Sequence, residues 1–315
     1  MMKPNLIVLR DPWREHFRDN DTGFGNRLMS YSIACVLRNK INKSAKIGIF
    51  KREFPEVEFL NIPHTVQLDE NEYPIKLLEC ERITNSGANQ MMKGTYNFNN
   101  EVYETDYTFD AINDIMRAGN HIGSIIRSIS LKNNDLLNNI KAFSKDLIGI
   151  HIRRGRGVFV TKEDLKSIPS RYREYYPNNL YFDANGKNVW GNPVYRFVRD
   201  EEVFKLIDTL PSDKKYFVSS DIDEKAMECF KTRYKGRVLT RSNFMSKNKE
   251  LLSSLNFFKP IINTTSTGYN LLDFYLLAYT KLIYQGCIST WSGCAAYVNS
   301  TKLHMIKKQK YKDVV

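Results

Sequence analysis

No stretch of this chain approaches the ~18 consecutive apolar residues that a membrane-spanning helix needs. The apolar run nearest the N-terminus, Leu6 to Leu9, is too short for a signal peptide, so the expectation is a cytoplasmic protein. Cysteine is sparse and unpatterned. Cys35, Cys80, Cys229, Cys287 and Cys294 form no Cys-x-x-Cys pair, and their odd number and spacing argue against a disulfide framework and against a zinc site. A reducing compartment suits such a set. The Gly-Lys-Ser/Thr ending of a P-loop is missing, and so is a complete Gly-x-Gly-x-x-Gly. Acidic residues are the minority sign, 35 against 47 Lys and Arg, which leaves a formal charge of +12. Such a balance favours anionic partners: nucleotides, nucleic acid, acidic glycans or an anionic membrane surface. With 42% hydrophobic and 26% charged residues in 315, what remains is a globular composition long enough for one large domain or two ordinary ones.

The apolar periodicity reads as alternating strands and helices. Leu6 to Leu9 is a first buried strand. Asp21-Thr-Gly-Phe-Gly-Asn-Arg-Leu then opens a helix over Leu28 to Leu37, and Ala45 to Phe50 is a second strand. Gly23 and Gly25 permit a tight turn that presents free N–H groups and the positive end of the helix dipole to an anion, or simply starts a helix. Residues 51–100 read as long loops with short helices. Asp110 to Ile129 and Leu131 to Phe143 carry helical spacing, and a domain boundary is expected at their end, giving units 1–143 and 144–315. After Gly157 comes a tyrosine-rich irregular segment suited either to core filling or to stacking on sugar faces.

The stretch Leu147 to Gly157, LIGIHIRRGRG, organises the second half. A buried strand here runs into a cationic, glycine-broken loop, an arrangement that suits an anion at the carboxyl edge of an open α/β sheet. Arg can grip phosphate oxygens with two parallel hydrogen bonds. Alternation puts His151 and Arg153 on one side of the strand and Arg154 on the other. The bland alternative is a solvated basic loop. Downstream, Lys215-Tyr-Phe-Val-Ser-Ser-Asp is a strand ending in small polar residues, with Asp221 and Glu224 spaced as a capping box. The most apolar segment, Asn270 to Tyr284, contains a single acid, Asp273, which needs a hydrogen-bonding partner. It can cap a helix or read the two adjacent N–H donors of guanine. Ser289-Thr-Trp-Ser then forms a strand-to-helix corner and a second candidate phosphate or ribose cradle.

Taken in order, Gly-Phe-Gly-Asn, His-Ile-Arg-Arg, Val-Ser-Ser-Asp, Leu-Leu-Asp-Phe-Tyr-Leu-Leu and Ser-Thr-Trp-Ser resemble the fucosyltransferase superfamily. That group holds the rhizobial nodulation, α1,6- and protein O-fucosyltransferases. The resemblance runs from about Leu6 to Val298 and is strongest over Ile148 to Arg156 and Asn270 to Ala296. It implies a GT-B fold: two Rossmann-like domains, the N-terminal one on the acceptor side and the C-terminal one holding the nucleotide sugar. It implies that His151 and Arg153 contact the GDP pyrophosphate, with Arg153 the main stabiliser of the leaving diphosphate. Gly23, Gly25 and Asn26 would line the donor pocket. Asp221 matches the acid after the following strand, Asp273 would hold the guanine edge, and Ser289, Thr290 and Ser292 would bind phosphate and ribose. The implied activity is inverting transfer of fucose from GDP-fucose to a hydroxyl of a glycan or glycoconjugate, with no metal or other cofactor. Two positions depart from the pattern. Arg156 stands where the family has Asp, and Arg27 stands where the glycine motif continues with Gln.

The residues support the same chemistry on physical grounds. Asp221-Ile-Asp223 has Asp-x-Asp spacing but fits helix capping as well. Without a metal, departing GDP needs cationic and N–H donors, which Arg153 and two helix N-termini would supply. The acceptor hydroxyl needs a general base, for which Glu15, His16 and Asp21 are candidates. The rival readings are the same fold with another nucleotide sugar, and a basic nucleic-acid-binding protein using Arg-Gly-Arg-Gly. Against the latter, the basic residues are dispersed and no such module is legible, so nucleic acid is not expected as a partner. Peripheral contact with an anionic membrane is open.

Overall fold

The computed structural model describes residues 5–10, 24–51, 53–69, 81–83, 102–106, 120–153, 198–220, 227–255, 267–286 and 289–306. The chain divides into two compact units, Met1–Leu137 with Ser253–Leu271, and Asn138–Leu252 with Leu272–Val315. Among the described residues no helix is long and apolar enough to cross a membrane.

The first unit is built on a five-stranded sheet. Its strands are β1 (Leu6–Arg10), β2 (Lys46–Phe50), β4 (Thr65–Leu68), β5 (Glu81–Ile83) and β6 (Val102–Asp106), in the order β4-β2-β1-β6-β5. Every pairing in it is parallel. β1 is central and its Ile7 and Val8 are fully buried, as expected for a strand covered on both faces. Helix α1 (Phe24–Ile41) follows and is buried on nearly every side from Phe24 to Arg38. It begins four residues before the expected Leu28, because Phe24 is itself a core residue packed against Phe54. A two-stranded antiparallel ladder joins β3 (Leu60–Asn61) to β7 (Ser130–Leu131).

One expectation fails here and another is shifted. The segment read as loops and short helices contributes strands β3, β4 and β5, as well as a 3-10 turn over Pro55–Glu58. These strands are only two to four residues long, and β4 lies at a sheet edge half in solvent, so each is too short to leave a recognisable alternation. The two helices read across residues 110–143 correspond to α2 (Asn120–Arg127) and α3 (Asn134–Ser144), with β7 between them, while residues 110–119 lie outside the described ones. Leu131 pairs with Leu60 instead of starting a helix. The Asn133 side chain restarts the helix by accepting from the Leu136 N–H at 2.8 Å.

Arg27 has a clear role. Its Nε donates to Glu56 Oε2 at 3.1 Å and its Nη2 pairs with Glu56 Oε1, both side chains being buried. A two-pronged buried pair leaves neither charge uncompensated.

The second unit holds β8 (Ile148–Ile152), β9 (Tyr216–Ser220), β10 (Val238–Leu239), β11 (Leu282–Gln285) and β12 (Lys302–Met305), ordered β10-β9-β8-β11-β12 and wholly parallel. Numbered within the unit this is the doubly wound order 3-2-1-4-5. One face carries Ile150, Ile152 and Val218 into a core with Val203 and Ile207 of α4 (Asp200–Thr209) and Phe230 of α5 (Glu228–Arg233). Helices α6 (Arg241–Lys247) and α7 (Lys249–Ser254) follow β10. Against the opposite face lie α8 (Thr267–Ala278) and α9 (Thr290–Val298). α8 approaches β8 so closely that a Cβ on Gly149 would stand 2.7 Å from both Leu277 Cδ1 and Thr280 Oγ1. The apolar segment 270–284 thus resolves into the end of α8, a turn and the start of β11, with Leu271 to Ala278 all buried.

Candidate active site at the carboxyl edge of the second sheet

In the second sheet the connection order reverses between β8 and β11. Open α/β sheets bind ligands in the crevice outside the carboxyl ends of the strands at such a switch point. Here β8 ends in His151 and Ile152 and is followed by Arg153. β11 ends in Gln285 and is followed by Gly286. Gly286 continues the ladder to β8, its N–H donating to His151 O at 3.0 Å, and a Cβ on Gly286 would meet Val198 Cγ2 at 2.8 Å.

Register sets a polar row across this edge. Ser219 of β9, His151 of β8, Gln285 of β11 and Met305 of β12 are partners in successive strands, so their side chains share one face. His151 is 3% exposed and its Nδ1 has no hydrogen-bond partner; Ser219 is also 3% exposed and its Oγ has none. Burial pushes His151 down to about 3, helped by the charge of Arg153, so the imidazole is neutral at physiological pH. Its ring stacks on Trp291 at 6.5 Å between centroids, and Trp291 meets Phe274 edge-on at 5.5 Å. A neutral ring held by aromatic packing beside a half-buried Arg offers hydrogen bonding from one group and charge from the other.

α9 points its N-terminus at the same edge. Ser289 is the N-cap, its Oγ accepting from Trp291 N–H at 3.3 Å, and Thr290 starts the helix half-buried. The helix end adds partial positive charge and backbone donors. Ser292 is fully buried and donates to Gln285 Oε1 at 2.6 Å, so its hydroxyl is spent joining α9 to β11.

Next to the row lies a shallow recess lined by Ser219, Ser220, Met227, Thr240, Arg241 and Asp273. Asp273 is 7% exposed, and its Oδ2 accepts from Arg241 Nη1 at 2.5 Å. Arg241 is the first residue of α6, where the Asn243 side chain reaches back to accept from the Thr240 N–H at 2.9 Å. The lone acid of the apolar segment is therefore one half of an ion pair, its carboxylate oriented by Arg241.

The second unit thus assembles His151, Arg153, Ser289 and Thr290 at the switch point and Asp273 in the adjoining recess. Gly25 and Asn26 lie in the first turn of α1, in the first unit. Gly23, Asp221, Arg154, Arg156 and the base candidates Glu15, His16 and Asp21 lie outside the described residues. Sequence reasoning missed Ser219, Arg241, Gln285 and Trp291. Gln285 breaks the apolar run of β11 and Ser219 sits among the small polar residues noted at the end of β9, so both carried a signal. Arg241 carried none, since its partner is 32 residues away.

The wholly parallel sheet in each unit is that of a GT-B, fucosyltransferase-like fold, as the similar solved structures show. Over 97% of its length the chain is similar to 99% of POFUT1 in complex with GDP-fucose, with a TM-score of 0.50 and 12% sequence identity. It also matches the fucosyltransferase NodZ from Bradyrhizobium, at 12% identity and a TM-score of 0.46 over 93% of each chain. NodZ α-1,6-fucosyltransferase co-crystallised with GDP matches at 14% identity and 0.46, over 93% of this chain and 92% of that one. No protein-family model matches the sequence, and no curated protein matches it by sequence.

Proposed function

We propose that the protein is a glycosyltransferase that transfers fucose from GDP-fucose to a hydroxyl of a glycan or glycoconjugate. The observation that carries the reading is the meeting of Arg153, neutral His151 and the N-terminus of α9 at the switch point of a doubly wound sheet. The fold supports it, and POFUT1, the similar structure reported above, contains GDP-fucose.

In this reading the diphosphate lies across the carboxyl ends of β8 and β11. Arg153 and the first N–H groups of α9 take the charge that develops as the bond from the anomeric carbon to the β-phosphate oxygen breaks. The acceptor oxygen forms its bond to that carbon from the opposite side, inverting the centre, and its proton passes to a general base. His151, held uncharged, orients the diphosphate by hydrogen bonding and leaves the charge to Arg153. The nucleoside extends over the recess, where Asp273, fixed by Arg241, receives the guanine edge. Leaving-group stabilisation by Arg and backbone donors requires no metal. The acceptor would be bound from the first unit, and the enzyme would work in the cytoplasm.

Thermal shift tests the donor assignment: GDP raises the melting temperature and UDP does not. Arg153→Ala keeps the ligand-free melting temperature, loses the GDP shift and lowers transfer by ~10²–10³. A protein indifferent to GDP, or an Arg153→Ala variant of full activity, refutes the proposal. Mass-spectrometric screening of GDP-sugars identifies the transferred sugar.

A further inference from the structure

The opposite edge of the second sheet carries a different chemistry. The first residues of all five strands, Val238, Tyr216, Ile148, Leu282 and Lys302, are register partners and form one straight row. The positions just before this row are laced by backbone bonds as well. Tyr216 N–H donates to Arg237 O at 2.8 Å, Ile148 N–H to Lys215 O at 3.0 Å and Lys281 N–H to Leu147 O at 2.9 Å. The segments leading into the strands are therefore held as a level edge. With strands about 4.8 Å apart, five starts span roughly 19 Å.

That edge is basic at every strand. Lys145 precedes β8, Lys214 and Lys215 precede β9, Lys235 and Arg237 precede β10, Lys281 precedes β11, and Lys302 opens β12. The lysines are all exposed. The acids in these same segments are Asp146, paired with Lys281 at 3.1 Å, and Asp213, paired with Lys214 at 2.7 Å. Lys145, Lys215, Lys235 and Lys302 remain as surplus charge.

We propose that this edge is a docking surface for an anionic lipid bilayer. The single arginine in these segments, Arg237, is folded inward: its guanidinium donates to Pro211 O at 3.2 Å and Lys214 O at 3.3 Å and lies over the Tyr216 and Tyr234 rings. The planar group best suited to clasping individual phosphates is thus committed to structure. Tyr216 and Tyr234 are themselves buried, so neither offers a stacking platform for nucleic-acid bases. What faces solvent along this level backbone edge is a set of point charges on flexible stems, carried at the strand starts or up to three residues before them. It fits a plane of laterally averaged negative charge better than a grooved or stacked polymer. Docking this way leaves the carboxyl edge of the sheet about 15 Å from the headgroups, open to the aqueous side.

The test is co-sedimentation with vesicles of phosphatidylcholine alone or mixed with phosphatidylglycerol. The wild-type protein partitions onto the mixed vesicles only and is released by high salt. The triple variant Lys215→Gln, Lys235→Gln, Lys302→Gln partitions on the order of 100-fold more weakly, with its melting temperature and GDP response kept. A companion triple with glutamate at the same positions does not bind. Failure of the wild type to bind mixed vesicles overturns the proposal, as does equal binding by the glutamine variant. Binding of an oligonucleotide in place of vesicles, lost in the same variant, assigns the edge to nucleic acid and overturns it too.

Discussion

Asp273→Asn removes one charge from the Arg241–Asp273 pair and keeps the shape of the side chain. Removing one partner of a fully buried pair costs about 3–5 kcal/mol, because the other charge is left uncompensated. These side chains keep 18% and 11% exposure, so water screens part of that loss. A hydrogen bond to a charged group is worth about 1.5–3 kcal/mol. Together these place the cost near 2–3 kcal/mol. In a unit of this size each kcal/mol moves the melting temperature by about 2–4 °C, giving a fall of roughly 4–12 °C. Differential scanning fluorimetry reads it directly. The decisive comparison is a double-mutant cycle with Arg241→Met. Because the two groups touch, the double variant loses less than the sum of the singles, with a coupling of at least about 1 kcal/mol. Strict additivity, or a single-variant shift under about 1 °C, would mean that Arg241 does not hold the Asp273 carboxylate in the recess.

Other perturbations have equally definite outcomes. Burial, with the charge of Arg153 assisting, pushes His151 down to about 3 from its ordinary 6.5. The unfolded chain therefore takes up that proton first. Stability is complete above pH 6.5 and is lost as pH falls towards 3, at about 1.4 kcal/mol per pH unit. His151→Gln flattens that limb of the melting curve, and an imidazole resonance titrating at its ordinary value would contradict the assignment. Gly149→Ala brings a methyl against Thr280 Oγ1, which is held by bonds to Leu277 O at 2.7 Å and Leu282 O at 3.3 Å. It should cost about 1–3 kcal/mol in chemical denaturation, and an unchanged midpoint would show that α8 yields. Ser292→Ala leaves the buried Gln285 Oε1 without its donor and should cost about 1–3 kcal/mol. A larger fall in GDP affinity than in stability would instead place its hydroxyl on the ligand.

The readings from sequence follow the strength of the local signal. β8 was legible because a continuous apolar run ends abruptly in charge, and the edge of a central strand is where such a change falls. The Ser289 corner was legible because an N-cap has its own residue preferences. β3, β4 and β5 were not, since short strands at an edge or in a two-residue ladder bury too little to leave a periodic trace. The strand β7 between α2 and α3 was hidden for another reason: Leu131 is apolar in phase with a helix, and its pairing with Leu60 is invisible in a window. Within the site, His151 and Arg153 came from local chemistry. The partner of Asp273 did not, because an ion pair between α6 and α8 is a property of tertiary packing, as is the meeting of His151 with Ser219.

The division of the chain into units has a consequence for its synthesis. Neither unit is a continuous stretch of sequence: Ser253–Leu271 returns to the first, and the second resumes at Leu272, within α8. The ribosome delivers β1 to β6 early, yet the first unit waits for its last segment until most of the second has emerged. β8 in turn is exposed along one side until β11 appears, well over a hundred residues later. Contacts so distant in sequence are slow to close, and unpaired strand edges invite association with other chains in the interval. Cutting the gene once cannot separate the units into independent pieces. Nor can circular permutation make both units continuous, because their segments alternate around the closed chain.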